Sequence, residues 1–157
     1  VRFVIFRPIY DKPGIRWLMT HLKAIPIDGG TKRDVIESID RESLPRVWLC
    51  APRREILHPL RGRGARLIDS TRLSQVREGP ERRAATLSAE GLDGINLHHT
   101  DWNGGLVTLA HRFGRFAFSW GIQEPRLLEE AFRMGVDAVY SDFPERMVDA
   151  RRAQCGV

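Results

Sequence analysis

The chain has 157 residues, 42% of them hydrophobic, enough for one ordinary domain with a real core and too few for two large ones. Lys and Arg number 25 against 20 Asp and Glu, a formal charge of +5; the arginines are spread through RRE, RGRGAR and ERR without a recognised nucleic-acid motif, so no nucleic-acid partner is expected. No run approaches the roughly 18 apolar residues of a membrane span, no leader is visible, and Cys50 and Cys155 lack metal-type spacing, so the expected setting is reducing and cytoplasmic.

In chain order, VRFVIF opens as a strand, DKPG makes a turn, and IRWLMTHLKAIPI reads as an amphipathic segment broken by Pro26. DGGTKRDVIESIDRE starts at a glycine-rich turn and continues as a charged helix, with Thr31 and Asp34 spaced as a loose capping box. The character changes near SLPR at 43–46. The expected division is an N-terminal arm at 1–44, a main part at 45–150 and a tail at 151–157.

From there, short apolar runs alternate with amphipathic segments. RVWLCA (46–51) reads as a buried strand, RREILHPL as a helix and ARLIDS (65–70) as a second strand. ERRAATLSAEG (81–91) is an amphipathic helix ended by Gly91. GINLHH (94–99) is strand-like, and GGLVTLAHRFG (104–114) is a helix stopped by Gly114. RFAFSW (115–120) alternates as a strand. EPRLLEEAFRMG (124–135) has Pro125 in its first turn and Gly135 just past its end, the asymmetry of a helix. DAVYSD (137–142) is the last strand. Five strands alternating with helical segments predict an α/β fold with a parallel sheet, open or closed into a barrel.

Such folds carry their chemistry at the carboxyl ends of the strands. Those ends are Cys50, Asp69, Ser70, His98, His99, Trp120 and Asp142. Adjacent residues on a strand point to opposite faces, so His98 and His99 cannot both fill a core. Either one faces a site, or the pair closes the strand in a polar loop. Two adjacent histidines with only Asp101 nearby make a poor metal set. Asp69 and Asp142 read as site carboxylates or as helix caps. Cys50 reads as a small buried apolar residue, and His58 and His111 as surface or packing residues of helices. RGRGAR is a basic turn without the preceding strand of a P-loop. The arginines are solvated faces or, alternatively, an attraction for anionic lipid headgroups or phosphate esters.

ARLIDSTRL, EGPERRAA, GINLHHTDW, FAFSWGIQEP and MGVDAVYSDFPERM, in this order and spacing, resemble the last five βα units of the TIM barrel of the glycerophosphodiester phosphodiesterase family, over about residues 46–150. The resemblance implies a partial TIM (β/α) barrel with an N-terminal α/β arm. It implies hydrolysis of a glycerophosphodiester to glycerol 3-phosphate and an alcohol, with a divalent metal, Ca or Mg. It places Trp120 where the family's Trp packs against the glycerol, and Asp142 and Pro144 in its last strand-end turn. The family's earlier elements are a His-Arg-Gly on the first strand, a metal-holding Glu and Asp, a second His and a Glu-x-Lys strand; none of these is in the sequence. No catalytic residue and no metal ligand is therefore assigned, and the substrate-binding candidates are Trp120, His98, His99, Asp69 and Asp142.

The first 42 residues resemble the middle of a lysophospholipid acyltransferase domain, between a His-x4-Asp motif and a Glu-Gly-Thr-like phosphate site that are both absent. KAIPIDGG is similar to that family's second block, with Lys32 and Arg33 nearest its basic position. The expectation is thus a truncated phosphodiesterase-like chain inactive by itself. The alternatives are a non-catalytic module binding anionic lipid or glycerophosphate, and a remnant of an acyltransferase. Expected partners are a glycerophosphodiester or phospholipid-derived small molecule, an anionic membrane at its periphery, and a second chain covering the open sheet edge.

Overall fold

The computed structural model describes residues 4–6, 25–27, 39 and 41–155. Within them, each apolar run after residue 45 becomes a strand. The chain divides into two units, one of residues 1–48 with 62–66 and one of 49–61 with 67–157. In the first, β1 (Val4–Phe6) and β2 (Ile25–Ile27) pair in parallel, Val4 opposite Ile25 and Phe6 opposite Ile27. The amphipathic segment before Pro26, the charged helix with Thr31 and Asp34, and the acyltransferase-like Lys32 and Arg33 lie outside the described residues.

A second sheet holds β3 (Trp48–Ala51), β4 (Arg66–Ser70), β5 (Gly94–His98), β6 (Phe116–Trp120) and β7 (Ala138–Tyr140), in sequence order and parallel. Between and after them run α1 (Pro80–Ala89), α2 (Gly104–Arg112), α3 (Pro125–Met134) and α4 (Pro144–Cys155). The helix ends obey local chemistry. Pro80 and Pro125 open helices where the missing N–H costs nothing. The Asn103 side chain accepts the Leu106 N–H at 3.0 Å and caps α2. Gly135 closes α3 at φ +86°, a left-handed conformation other residues adopt only with strain.

Register separates the two faces of the sheet. Ser70 lies opposite Asn96, Asn96 opposite Phe118, His98 opposite Trp120, and Trp120 opposite Tyr140. The side-chain period of two therefore puts Ser70, Asn96 and Phe118 in one layer and His98, Trp120 and Tyr140 in the layer above it, all on one face. The other face carries Leu67, Asp69, Ile95, Leu97, Ala117 and Ser119, all buried. There a small cavity remains against Ala84 of α1 and Leu106 and Ala110 of α2.

The sheet curls. Cys50 Sγ of β3 and Tyr140 Oη of β7 are 2.9 Å apart, although a flat sheet would separate strands four places apart by about 19 Å. The curl brings the inner faces of the two edge strands together, and the result is a partial TIM barrel.

Three local outcomes differ from the sequence reading. RREILHPL is not one helix but two 3-10 turns, Arg54–Ile56 and His58–Leu60; Pro59 has no N–H to continue a helical ladder. His99 leaves the strand and starts a 3-10 turn, His99–Asp101. Residues 151–155, set aside as a tail, continue α4.

Candidate functional site

The parallel strands present their carboxyl ends at one edge, and register decides which side chains meet there. His98 ends β5 and Trp120 ends β6, directly opposite each other. Their rings touch edge to face, with centroids 4.6 Å apart at 78°, an arrangement favoured by the ring quadrupole. The His99 ring lies 4.3 Å from that of His98. The backbone N–H of Thr100 donates to His98 Nδ1 at 3.3 Å, and Thr100 Oγ1 is 2.8 Å from the same atom. An amide can only donate, so Nδ1 accepts and the neutral ring carries its proton on Nε2. Burial, the neighbouring His99 and the Arg72 guanidinium hold His98 below the usual histidine range.

Gly121 makes this packing possible. It sits at φ +79°, and a Cβ there would lie 2.8 Å from His98 Nε2. Below the rings, the Asn96 amide donates to Ser70 Oγ at 3.0 Å. The Trp120 indole N–H is buried without a hydrogen-bond partner among the described residues.

Arg72, in the loop after β4, completes the rim. Its guanidinium lies 5.8 Å from the centre of the Trp120 ring and pairs with Asp101, Nε to Oδ2 at 2.9 Å. The structure thus brings together His98, His99 and Trp120, and adds Arg72, Thr100 and Asp101, which the sequence reading did not single out as binding residues. Their signal was position alone, immediately after a strand end.

Asp69 faces away from this group, and Asp142 lies in the turn after β7 at the same edge. Asp69 turns to the helix-covered face, 1% exposed, where Arg83 of α1 meets it at 2.8 Å. Burial pushes its carboxyl above the usual range, against the opposing pull of Arg83. Arg83 also meets Glu78 at 2.7 Å, and Arg54 meets Glu78 at 3.2 Å. This partly buried ion network ties α1 to β4. Asp142, past β7, accepts from Gln123 Nε2 at 2.6 Å, and its own N–H donates to Gln123 Oε1 at 3.0 Å. Ser141 Oγ donates to the same Oε1 at 3.2 Å. Gln123 therefore clasps the β6 and β7 ends together, a role invisible in FSWGIQEP until the two loops are adjacent.

The metal implied by the resemblance finds no fit. Among the described residues no three His, Cys, Asp or Glu side chains gather in a way that could hold an ion. At the rim, His98 Nδ1 is engaged by Thr100 and Asp101 by Arg72. A hard divalent cation needs several oxygen ligands instead.

No family model matches the sequence, and no curated protein matches it. Solved structures do share the fold. A protein of Agrobacterium tumefaciens, assigned as a glycerophosphoryl diester phosphodiesterase, superposes with a TM-score of 0.72 at 20% identity, covering 99% of this chain and 59% of that one. An Oleispira antarctica phosphodiesterase, in complex with the product sn-glycerol-3-phosphate, gives 0.61 at 14% identity, over 86% of this chain and 58% of the other. A glycerophosphodiester phosphodiesterase of Parabacteroides distasonis gives 0.60 at 16%, over 98% and 57%. At these identities the likeness establishes the fold. The chain spans about half the length of the solved structures it resembles, from 43% to 59%.

Proposed function

We propose that this chain is a glycerophosphodiester phosphodiesterase-like protein whose strand ends bind the glycerol 3-phosphate half of a phosphodiester. One observation carries the reading: His98, Trp120 and Tyr140 form a single row at the carboxyl edge of a parallel sheet. This is the edge where TIM barrels hold their ligands. A glycerol backbone fits against the Trp120 ring, and the His98 Nε2–H is a donor for an oxygen of the ligand. The likeness to a phosphodiesterase solved with sn-glycerol-3-phosphate supports the same ligand class.

Hydrolysis itself needs a general acid, a general base and, in the family resembled, a metal. None is identified among the described residues, and the role proposed for those at the strand ends is to bind and orient the ligand. A non-catalytic glycerophosphate-binding module is the second reading, favoured by the engagement of Asp101 with Arg72 and of His98 Nδ1 with Thr100. Contact with anionic membranes and pairing of two chains across the open sheet edges belong to the same proposal. Vesicle co-sedimentation and analytical ultracentrifugation read them directly.

The test is titration of the purified chain with sn-glycerol 3-phosphate, followed by calorimetry and by the Trp120 indole NMR signal. Saturable binding is expected, weakened about tenfold in Trp120→Ala through lost ring contact. A titration without saturation refutes the reading. Glycerophosphocholine with added Ca²⁺ or Mg²⁺ is expected to show no turnover above background. Turnover abolished by EDTA would overturn the assignment of a purely binding role.

A further inference from the structure

Arg72 reaches far for a surface arginine. It belongs to the loop after β4, yet its guanidinium sits 5.8 Å from the ring centre of Trp120, which ends β6 two strands away. A fork holds it there. Nε lies 2.9 Å from Asp101 Oδ2, and Nη2 donates to Asp101 Oδ1 at 3.2 Å and to Thr100 Oγ1 at 3.5 Å. Asp101 is anchored in turn, since its Oδ2 accepts the Leu73 N–H at 3.0 Å. The Asp101 side chain is 13% exposed and that of Arg72 39%. The carboxylate is thus held among donors, while more than a third of the Arg72 side chain stays exposed. Nη1 takes no part in these bonds.

We infer that Arg72 reads the charge of the ligand: its Nη1 edge donates to a phosphate oxygen, so that the rim selects phosphorylated glycerol over glycerol. The inference rests on the proposed function, because it concerns the same rim. The chemistry suits a guanidinium. Its donors are fixed in a plane, so one edge can serve a carboxylate while the other serves a phosphate. The long side chain is already ordered by Asp101 and Thr100, so binding does not have to meet that entropy cost. A lysine has one compact ammonium and cannot present two separate edges. Arg72 is accordingly a specificity-determining residue, not a catalytic one.

The test compares wild type, Arg72→Gln and Arg72→Lys against sn-glycerol 3-phosphate and against glycerol titrated to molar concentration, with the Trp120 indole signal as readout. Arg72→Gln is expected to weaken glycerol 3-phosphate binding tenfold or more, as for loss of a charge-assisted hydrogen bond. It should alter the response to glycerol far less than that to glycerol 3-phosphate, and make the remaining binding less sensitive to salt. Arg72→Lys is expected to lose at least half of that discrimination, and it carries the test if Arg72→Gln does not fold. If wild type binds glycerol 3-phosphate and either folded variant binds it equally well, the inference is overturned while the proposed function stands. If wild type itself shows no saturable binding, the proposed function falls and the inference with it.

Discussion

Gly121 and His98 show how much of the site depends on single atoms. Gly121→Ala places a methyl group 2.8 Å from His98 Nε2 at a residue with φ +79°. The left-handed backbone alone costs about 1–2 kcal/mol for a residue with a Cβ, and the collision adds to it. The expected outcome is a lower denaturant midpoint together with a shifted His98 ring signal; an unshifted ring would show that the glycine serves only the turn. His98 makes a second prediction, about pH. Its folded-state pKa lies below the ordinary value of 6.5. Between the two values the unfolded chain therefore binds more protons, and stability falls as pH drops below about 6.5 and is retained above it. NMR titration should give His98 a pKa lower than that of a solvent-exposed histidine, and His98→Asn should remove that part of the acid sensitivity. A pKa at or above the exposed value would contradict the packing described. The sequence displayed His98 and His99 as an anomaly and Trp120 as a strand end. It did not display Gly121 or Arg72 as neighbours of His98, since both arrive from other loops.

At the scale of elements, β5 and β6 depend on a residue without a side chain. A Cβ on Gly94 would stand 2.5 Å from the Phe116 carbonyl oxygen and 3.0 Å from the Ile68 and Phe116 side chains. Part of the obstacle is backbone, which cannot turn aside. Gly94→Ala is expected to cost about 1–3 kcal/mol, the range for overpacking a filled core, measurable as a fall in Tm; an unchanged Tm would mean the two strands are not packed as described. The bond between α1 and β4 is electrostatic instead. Arg83→Met leaves the Asp69 carboxylate, 1% exposed, without its guanidinium. Removing one partner of a buried pair costs about 3–5 kcal/mol, and chemical denaturation should show a loss of that order. A loss below about 1 kcal/mol would indicate that Asp69 is protonated in the fold. Helix ends were legible where Pro125 and Gly135 act locally. The two turns at Arg54–Ile56 and His58–Leu60 were misread as a helix because apolar spacing outweighed one proline.

For the whole molecule, the consequential fact is the contact of Cys50 with Tyr140 across the sheet, at 2.9 Å. It shows that five strands have curled rather than spread, so that ends formed at separate points of the chain converge on one rim. Alternating apolar runs, helix-capping residues and glycine stops determined by themselves that strands and helices alternate, because these depend on residues within a few positions of one another. They therefore also determined that the strand ends would be polar and would share one edge. Which face each polar residue takes was decided only in three dimensions. Asp69 and Ser70 are neighbours in sequence, yet one is paired with Arg83 beneath a helix and the other with Asn96 on the inner face. The pleat turns successive side chains in opposite directions, and only the register with the next strand and the curl of the sheet establish which direction is inward.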